Sequence, residues 1–223
     1  MPDNYSKKNS RRSFIKKGIA VSSIFIIPRH TLGGFGYTAP SDQLALAGIG
    51  VGGKGETDII NASVNGRERV IALCDTDSSG LGGVSNSIKR FSDAKFYDNF
   101  KKMLDTEKDI DAVTISTPDH THAAAAVYAM QRGIHIYVQK PLTHNIFEAR
   151  LLTEMAREKK AVTQMGNQGA SNPDQLQIQK WINEGAIGTI SKVNVWTNRP
   201  VWPQGIPMKQ PDESIKPANL NWD

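Results

Sequence analysis

After residue 43 the apolar positions switch period repeatedly, from short continuous or alternating runs to a helical spacing and back. Strand-type runs predict strands at 44–49, 70–74, 95–97, 112–116, 134–138 and 162–165. Helical stretches at 53–65, 85–91, 99–105, 120–132 and 145–159 lie between them. Strands and helices in strict alternation predict a parallel sheet covered on both faces. In the helix at 145–159, Asn145 and Glu148 can form a capping box, and Ile146, Ala149, Leu152 and Met155 or Ala156 make one apolar face. The helix at 85–91 overlaps the glycine-rich SSGLGGVSNS, half of which reads as loop. Beyond residue 165 the pattern changes. A helix at 172–188 would hold Leu176, Ile178, Trp181 and Ile182 inside and close at Gly185 or Gly188; a strand at 189–199 follows, with Ile190, Val193 and Val195 apolar. Residues 200–223 are proline-rich and offer no closing element, so the expectation is a chain that stops inside a second unit.

Charge changes the picture only at the N-terminus. The formal net charge is +5, but Lys7, Lys8, Arg11, Arg12, Lys16 and Lys17 all fall in the first seventeen residues, and the remainder is close to neutral. No basic stripe interleaved with aromatics is left, which argues against a nucleic-acid partner. The segment SRRSFIKK followed by the short apolar run 18–28 resembles a twin-arginine export signal, with an ordinary basic secretory leader as the alternative. The run is too short to span a membrane, so no stable anchor is expected. The expectation is periplasmic localisation through the twin-arginine export machinery, with residues 1–41 as signal and Gly/Pro-rich linker. Cys74 is the only cysteine; this excludes an internal disulfide and a multi-cysteine metal site, and its place at the end of an apolar run marks it as a small buried hydrophobe.

The candidate chemistry gathers where strands end. LALAGIGVGGKG puts a glycine cluster between the first strand and the first helix, and Gly-x-Gly-x-x-Gly can be read from Gly48 or from Gly50. Gly50, Gly52 and Gly55 are preferred because the apolar strand then runs into the first glycine; Gly53 belongs to the same loop. Such glycines allow a tight turn, close approach to a pyrophosphate at the helix N-terminus, and close helix–strand packing. Asp75 ends the second strand about twenty residues after the third glycine, where a carboxylate accepts hydrogen bonds from ribose hydroxyls and repels a 2′-phosphate. This favours NAD over NADP. Thr117 and Pro118 exit the fourth strand beside the expected crevice, and Asp119 or Thr121 can cap the helix that follows. His120 and His122 form a His-x-His pair, but no carboxylate or cysteine cluster accompanies it, so a loop or cofactor-contact role is favoured, with His122 the candidate contact, and no metal is expected. The fifth strand ends in Gln139, Lys140 and Pro141; the proline biases Lys140 toward extended backbone and holds its ammonium beyond the strand's carboxyl end.

In combination, GIGVGGKG, ALCDTD, STPDHTHAAAAVYAMQRGIHIYVQKPL and QMGNQG resemble the Gfo/Idh/MocA oxidoreductases, the family of glucose-fructose oxidoreductase and inositol dehydrogenase, over residues 43 to about 196. The export signal and GNQ segment look most like exported, carbohydrate-associated members from Bacteroides-like bacteria. The resemblance implies a Rossmann-like doubly wound α/β domain at 42–166 that binds NAD, followed at 167–223 by the beginning of an α+β domain for substrate and oligomerisation. It also implies that Lys140 lies beside the nicotinamide and the reacting hydroxyl, with Gln139 in the cofactor-contact set. In the family the residue before this lysine is usually glutamate; Gln139 removes that charge. Histidine and aspartate or tyrosine partners from the second domain have no matching positions here, so the 223-residue chain is expected to be inactive alone.

Three readings follow. The first is an NAD-dependent oxidoreductase acting on a sugar or glycoside hydroxyl, with Lys140 as the catalytic group and Asn167, Gln168, Trp196 and Arg199, together with Trp202, as candidate sugar contacts. The second is a glycosidase that uses NAD for oxidation, elimination and re-reduction. The third is a non-catalytic dinucleotide-binding protein.

Overall fold

The computed structural model describes residues 38–77, 79, 81–199, 205 and 218–221. Arg11, Arg12 and Trp202 lie outside the described residues. The chain divides into Met1–Gln43 and Leu44–Asp223. The described part of the first unit holds one 3-10 turn, Pro40–Asp42.

In the second unit six strands form one sheet: β1 (Ala45–Ile49), β2 (Arg69–Cys74), β3 (Lys95–Tyr97), β4 (Ala112–Ile115), β5 (His135–Gln139) and β6 (Thr163–Gly166). Their order is β3-β2-β1-β4-β5-β6 and every pair is parallel. The helices are α1 (Lys54–Ala62), α2 (Val84–Arg90), α3 (Phe100–Thr106), α4 (His122–Met130), α5 (Ile146–Lys159) and α6 (Pro173–Asn183). The strand order reverses between β1 and β4, so right-handed crossovers put α1 and α2 on one face and α4 and α5 on the other. This is the doubly wound sheet the alternation predicts.

Two apolar clusters hold the layers. On one face Ile49, Val113, Ile115, Ile136 and Val138 meet Met103 and Leu104 of α3, Ala126, Ala129 and Met130 of α4, and Leu152 of α5. On the other, Leu46 and Leu73 meet Val51, Ile59 of α1 and Val84 of α2. The alanines of α4 let it lie close on the strands, and Phe100 and Tyr128 pack edge-to-face with ring centroids 5.7 Å apart. Helix α5 begins as expected at Asn145, whose side chain accepts the Glu148 amide at 2.9 Å; Glu148 reaches back one residue further, to the His144 amide at 2.8 Å.

Three sequence expectations change. The helix after residue 165 forms, capped by the Asn172 side chain on the Asp174 amide, but Leu176, Ile178, Trp181 and Ile182 are exposed rather than inside. No strand forms at 189–199, where Val195 is 90% exposed. A lone extended segment has nothing to complete its backbone hydrogen bonds, and none of the described strands pairs with it. Finally, Thr121 stands at the N-cap position of α4 but caps no helix amide: its hydroxyl meets Thr117 Oγ1 and the Pro118 carbonyl, each at 2.8 Å, and Asp119–Thr121 winds as a 3-10 turn instead.

Candidate active site

The turn after β1 starts at Gly50, which decides between the two ways of reading the glycine motif. Gly50 has φ +74°, donates its amide to the Cys74 carbonyl at 2.8 Å, and a Cβ there would stand 2.9 Å from Ser116 and Thr117 backbone. Gly48 remains inside β1. A Cβ on Gly52 would come within 3.0 Å of the Gly82 carbonyl and Val84, and one on Gly55 would overlap the Gly50 carbonyl oxygen. Gly53, at φ +51°, is the N-cap of α1, and space around it is open. The positive end of the α1 dipole therefore meets a backbone loop with room beside it, a cradle for an anionic group.

Asp75 closes this loop. Its Oδ2 accepts the Val51 and Gly52 amides at 3.0 and 3.2 Å, and its Oδ1 accepts the Asp77 amide at 3.1 Å. It also faces a cleft of 520 Å³ bounded by the glycine loop on one side, Thr117 and Pro118 on another, and the run Asp98 to Lys101 on a third. Cys74 borders the same cleft, and burial first, then Asp75 and Asp98, pushes its thiol from 9.0 up to about 12. It is inert chemically at neutral pH.

Residues 98–101 are site residues that the linear pattern did not single out. They follow β3, and since β3 pairs with β2, whatever follows β3 must stand next to whatever follows β2. Asn221 also reaches this wall, its amide bonded to the Thr76 carbonyl at 3.0 Å and its side chain to the Asp98 carbonyl at 3.3 Å.

The other half of the carboxyl edge centres on β4 and β5. His122 is 1% exposed, with Nδ1 at 2.6 Å from the Pro141 carbonyl and Nε2 at 2.8 Å from the Thr117 carbonyl. Both neighbours are carbonyl oxygens, so each ring nitrogen faces an acceptor. It ties the exit of β4 to the Lys140–Pro141 turn, whose peptide is cis, and leaves no nitrogen for a metal. Lys140 itself is exposed, and among the described residues its ammonium forms no ion pair. It lies outside the cleft lining.

Gln139 is 5% exposed and donates Nε2 to Asp58 Oδ2 at 2.8 Å. Gln168 joins it from beyond β6, Nε2 to Gln139 Oε1 at 3.3 Å. Asn167 is exposed next to Gln168. Trp196 is 85% exposed and Arg199 is exposed, so neither packs against the site. Asp58, from the inner side of α1, was invisible as a site residue; its only signal is a charge placed beside Ile59 on a helix face that must go inward.

Residues 43–167 match the Gfo/Idh/MocA oxidoreductase family, described by its NAD-binding Rossmann fold. The chain belongs to this family. Among Gfo/Idh/MocA and related proteins it is 30% identical over 106 residues to levoglucosan dehydrogenase of Pseudarthrobacter phenanthrenivorans, covering 48% of this chain and 27% of that protein. It is 27% identical over 154 residues to a glycosyl hydrolase family 109 protein of Shewanella sp. strain ANA-3, covering 67% of this chain and 34% of the relative. The crystal structure of myo-inositol 2-dehydrogenase from Lactobacillus plantarum superposes with a TM-score of 0.58 at 28% identity, over 66% of this chain and 43% of that one. The chain thus spans less than half the length of each of these relatives. By its family's NAD-binding Rossmann fold, the cofactor of this Gfo/Idh/MocA domain is NAD. The cradle fits it: glycines at the close approaches, open space at the N-terminus of α1, and the Asp75 carboxylate on the cleft wall where a 2′-phosphate would be repelled.

Proposed function

We propose that this Gfo/Idh/MocA chain serves an oxidoreductase that moves hydride between the nicotinamide of NAD and a hydroxyl-bearing carbon of a sugar or glycoside. The observation that carries this reading is one shared edge. Glycine loop, Asp75, Thr117 and Lys140 all follow parallel strands at their carboxyl ends, on both sides of the reversal between β1 and β4, where open α/β sheets bind ligands. In this reading the glycine loop and the α1 N-terminus hold the pyrophosphate, and Asp75 holds a ribose hydroxyl. Lys140 hydrogen-bonds the substrate hydroxyl and takes or returns its proton. Gln168 and Asn167, beside Gln139, offer amide groups to the remaining hydroxyls.

The test is hydride transfer followed by NADH fluorescence, with levoglucosan, inositols and glucosides as substrates, in parent and Lys140→Met forms of a full-length protein that carries this chain together with the second-domain partners. Retained NAD binding with turnover lowered by about a hundredfold is expected, the scale of one positioned acid/base group. An unimpaired Lys140→Met would remove the lysine from the mechanism. Similarity to the glycosyl hydrolase family 109 protein favours, as a second reading, the redox-elimination glycosidase. Release of free sugar without net NADH would select it, and NAD binding with neither reaction would select the non-catalytic role. We also propose periplasmic export directed by Arg11 and Arg12: replacing both with lysine conserves charge but removes the guanidinium groups, and should leave the protein in the cytoplasm by fractionation.

A further inference from the structure

Along β5 the buried Ile136 and Val138 face the apolar core, which leaves Tyr137 and Gln139 on the face that carries α1. Among the described residues no apolar helix surface covers them over this half of the sheet; α1 presents Asp58 instead. Asp58 is 5% exposed, and its carboxylate accepts from Ser116 Oγ at 2.8 Å, from Gln139 Nε2 at 2.8 Å and from the Lys54 ammonium. A carboxylate only accepts, so it fixes which end of the Gln139 amide faces it. The other end, Oε1, then points outward and accepts the Lys140 amide and Gln168 Nε2, each at 3.3 Å. Burial first, then the Asp58 charge, raises the Tyr137 phenol, with Lys54 opposing.

Opposite Gln139 in the β5–β6 register stands Gly166, the one buried residue of β6. A Cβ there would come within 2.7 Å of Gln139 Nε2 and 2.6 Å of the Tyr137 hydroxyl. The neighbouring strand is cut back to make room for this amide. A glutamate at 139 would bring a second carboxylate to Asp58 at the distance of the present hydrogen bond, 2.8 Å.

We propose that Asp58 is a positioning residue for Lys140, acting through the Gln139 amide, and that Asp58 and Gln139 form a matched pair in which α1 supplies the negative charge. This deepens the catalytic reading of Lys140 and rests on it. Gln139 is itself uncharged, so the negative charge beside the lysine turn comes from the helix, and the amide transmits its orientation to the lysine backbone and to Gln168.

The test is a double-mutant cycle in the 223-residue chain with D58N, Q139E and D58N/Q139E. Two carboxyls in contact must share a proton, which raises the folded-state pKa of one of them. Such a group contributes its stability below the unfolded pKa and loses it as pH rises through the folded one, so the Q139E deficit grows with pH. Among the described residues Lys54 and Tyr137 are the other titratable groups facing the pair. At neutral pH Q139E should lower Tm by roughly 5 °C or more. D58N/Q139E restores a hydrogen bond with donor and acceptor exchanged and should recover most of that loss. If Q139E does not fold at neutral pH, a folded double variant supports the pair and an unfolded one overturns it.

A structural pair alone would stop there. Positioning also requires the 13C signal of reductively methylated Lys140, assigned by its absence in Lys140→Arg, to shift in Q139E and in D58N and to return toward the parent in the double variant. Absence of rescue, or a Lys140 signal indifferent to all three variants, would overturn the proposal. Calorimetry with NAD on the parent tests the cofactor reading separately, since the coupling is read without any ligand.

Discussion

The glycine-loop half of the sheet's carboxyl edge is shaped by backbone, and the lysine half by side chains. Around β1 and β2, Gly50 and Gly55 mark places where any Cβ meets a main-chain atom, and Asp75 locks the loop through the Val51 and Gly52 amides. Around β4 and β5 the main chain is held at a distance by His122, and a chain of side-chain contacts runs from Lys54 through Asp58 and Gln139 to Gln168. The first half tolerates no added volume at Gly50 and Gly55 but needs few particular functional groups. The second depends on donors facing acceptors, and its close approach at Gly166 is to side chains and not to backbone. A site of the first kind holds a cofactor by shape, and one of the second kind can be retuned by exchanging partners.

Substitutions should separate the halves. Gly55→Ala pushes a methyl into the Gly50 carbonyl and should cost about 3 kcal/mol in denaturant unfolding, with NAD binding lost alongside. His122→Leu keeps the bulk but leaves two part-buried carbonyls without their imidazole partner, costing about 2 kcal/mol in the same measurement. An unchanged stability would mean that the two carbonyls find water and that the lysine half does not depend on its side-chain donors. Asp75→Arg should weaken NAD about tenfold by calorimetry, roughly 1.4 kcal/mol, and narrow its advantage over NADP.

Cys74 gives a smaller, pH-dependent effect. Its thiol ionises near 9.0 when unfolded and only near 12 when folded, so its contribution is complete below 9.0 and is lost as pH rises toward 12. The stability advantage of parent over Cys74→Ala should therefore shrink by about 1 kcal/mol between roughly pH 8 and 10. Lys140→Met should change stability least, by under about 0.5 kcal/mol, because the side chain is exposed. A large loss there would mean that the ammonium holds the turn, which would blur the contrast between the halves.

The same contrast explains what could be read in advance. The doubly wound sheet was legible because apolar period follows the alternation of strand and helix, and strand ends agree with the expected bounds to within a residue or so: 70–74 against Arg69–Cys74, and 95–97 identical to Lys95–Tyr97. Glycines announce a backbone-built loop, since a residue without a side chain in that spacing has a steric reason. The 189–199 segment carries strand-like residues as good as those of β6, yet forms no strand, because a strand is a property of two chain segments and period describes only one.

By itself the sequence determined the layer order, the glycine cradle, Asp75 at the end of β2, and Lys140 at the end of β5, each fixed by local pattern or by its distance along the chain. Only the tertiary structure decided that residues after β3 wall the cleft, that His122 spends both nitrogens on carbonyls, and that Asp58 meets Gln139 across eighty-one positions of sequence. Those contacts depend on which strands become neighbours and which helix face turns inward. A hydrogen bond between distant side chains leaves no periodic trace in the chain that makes it.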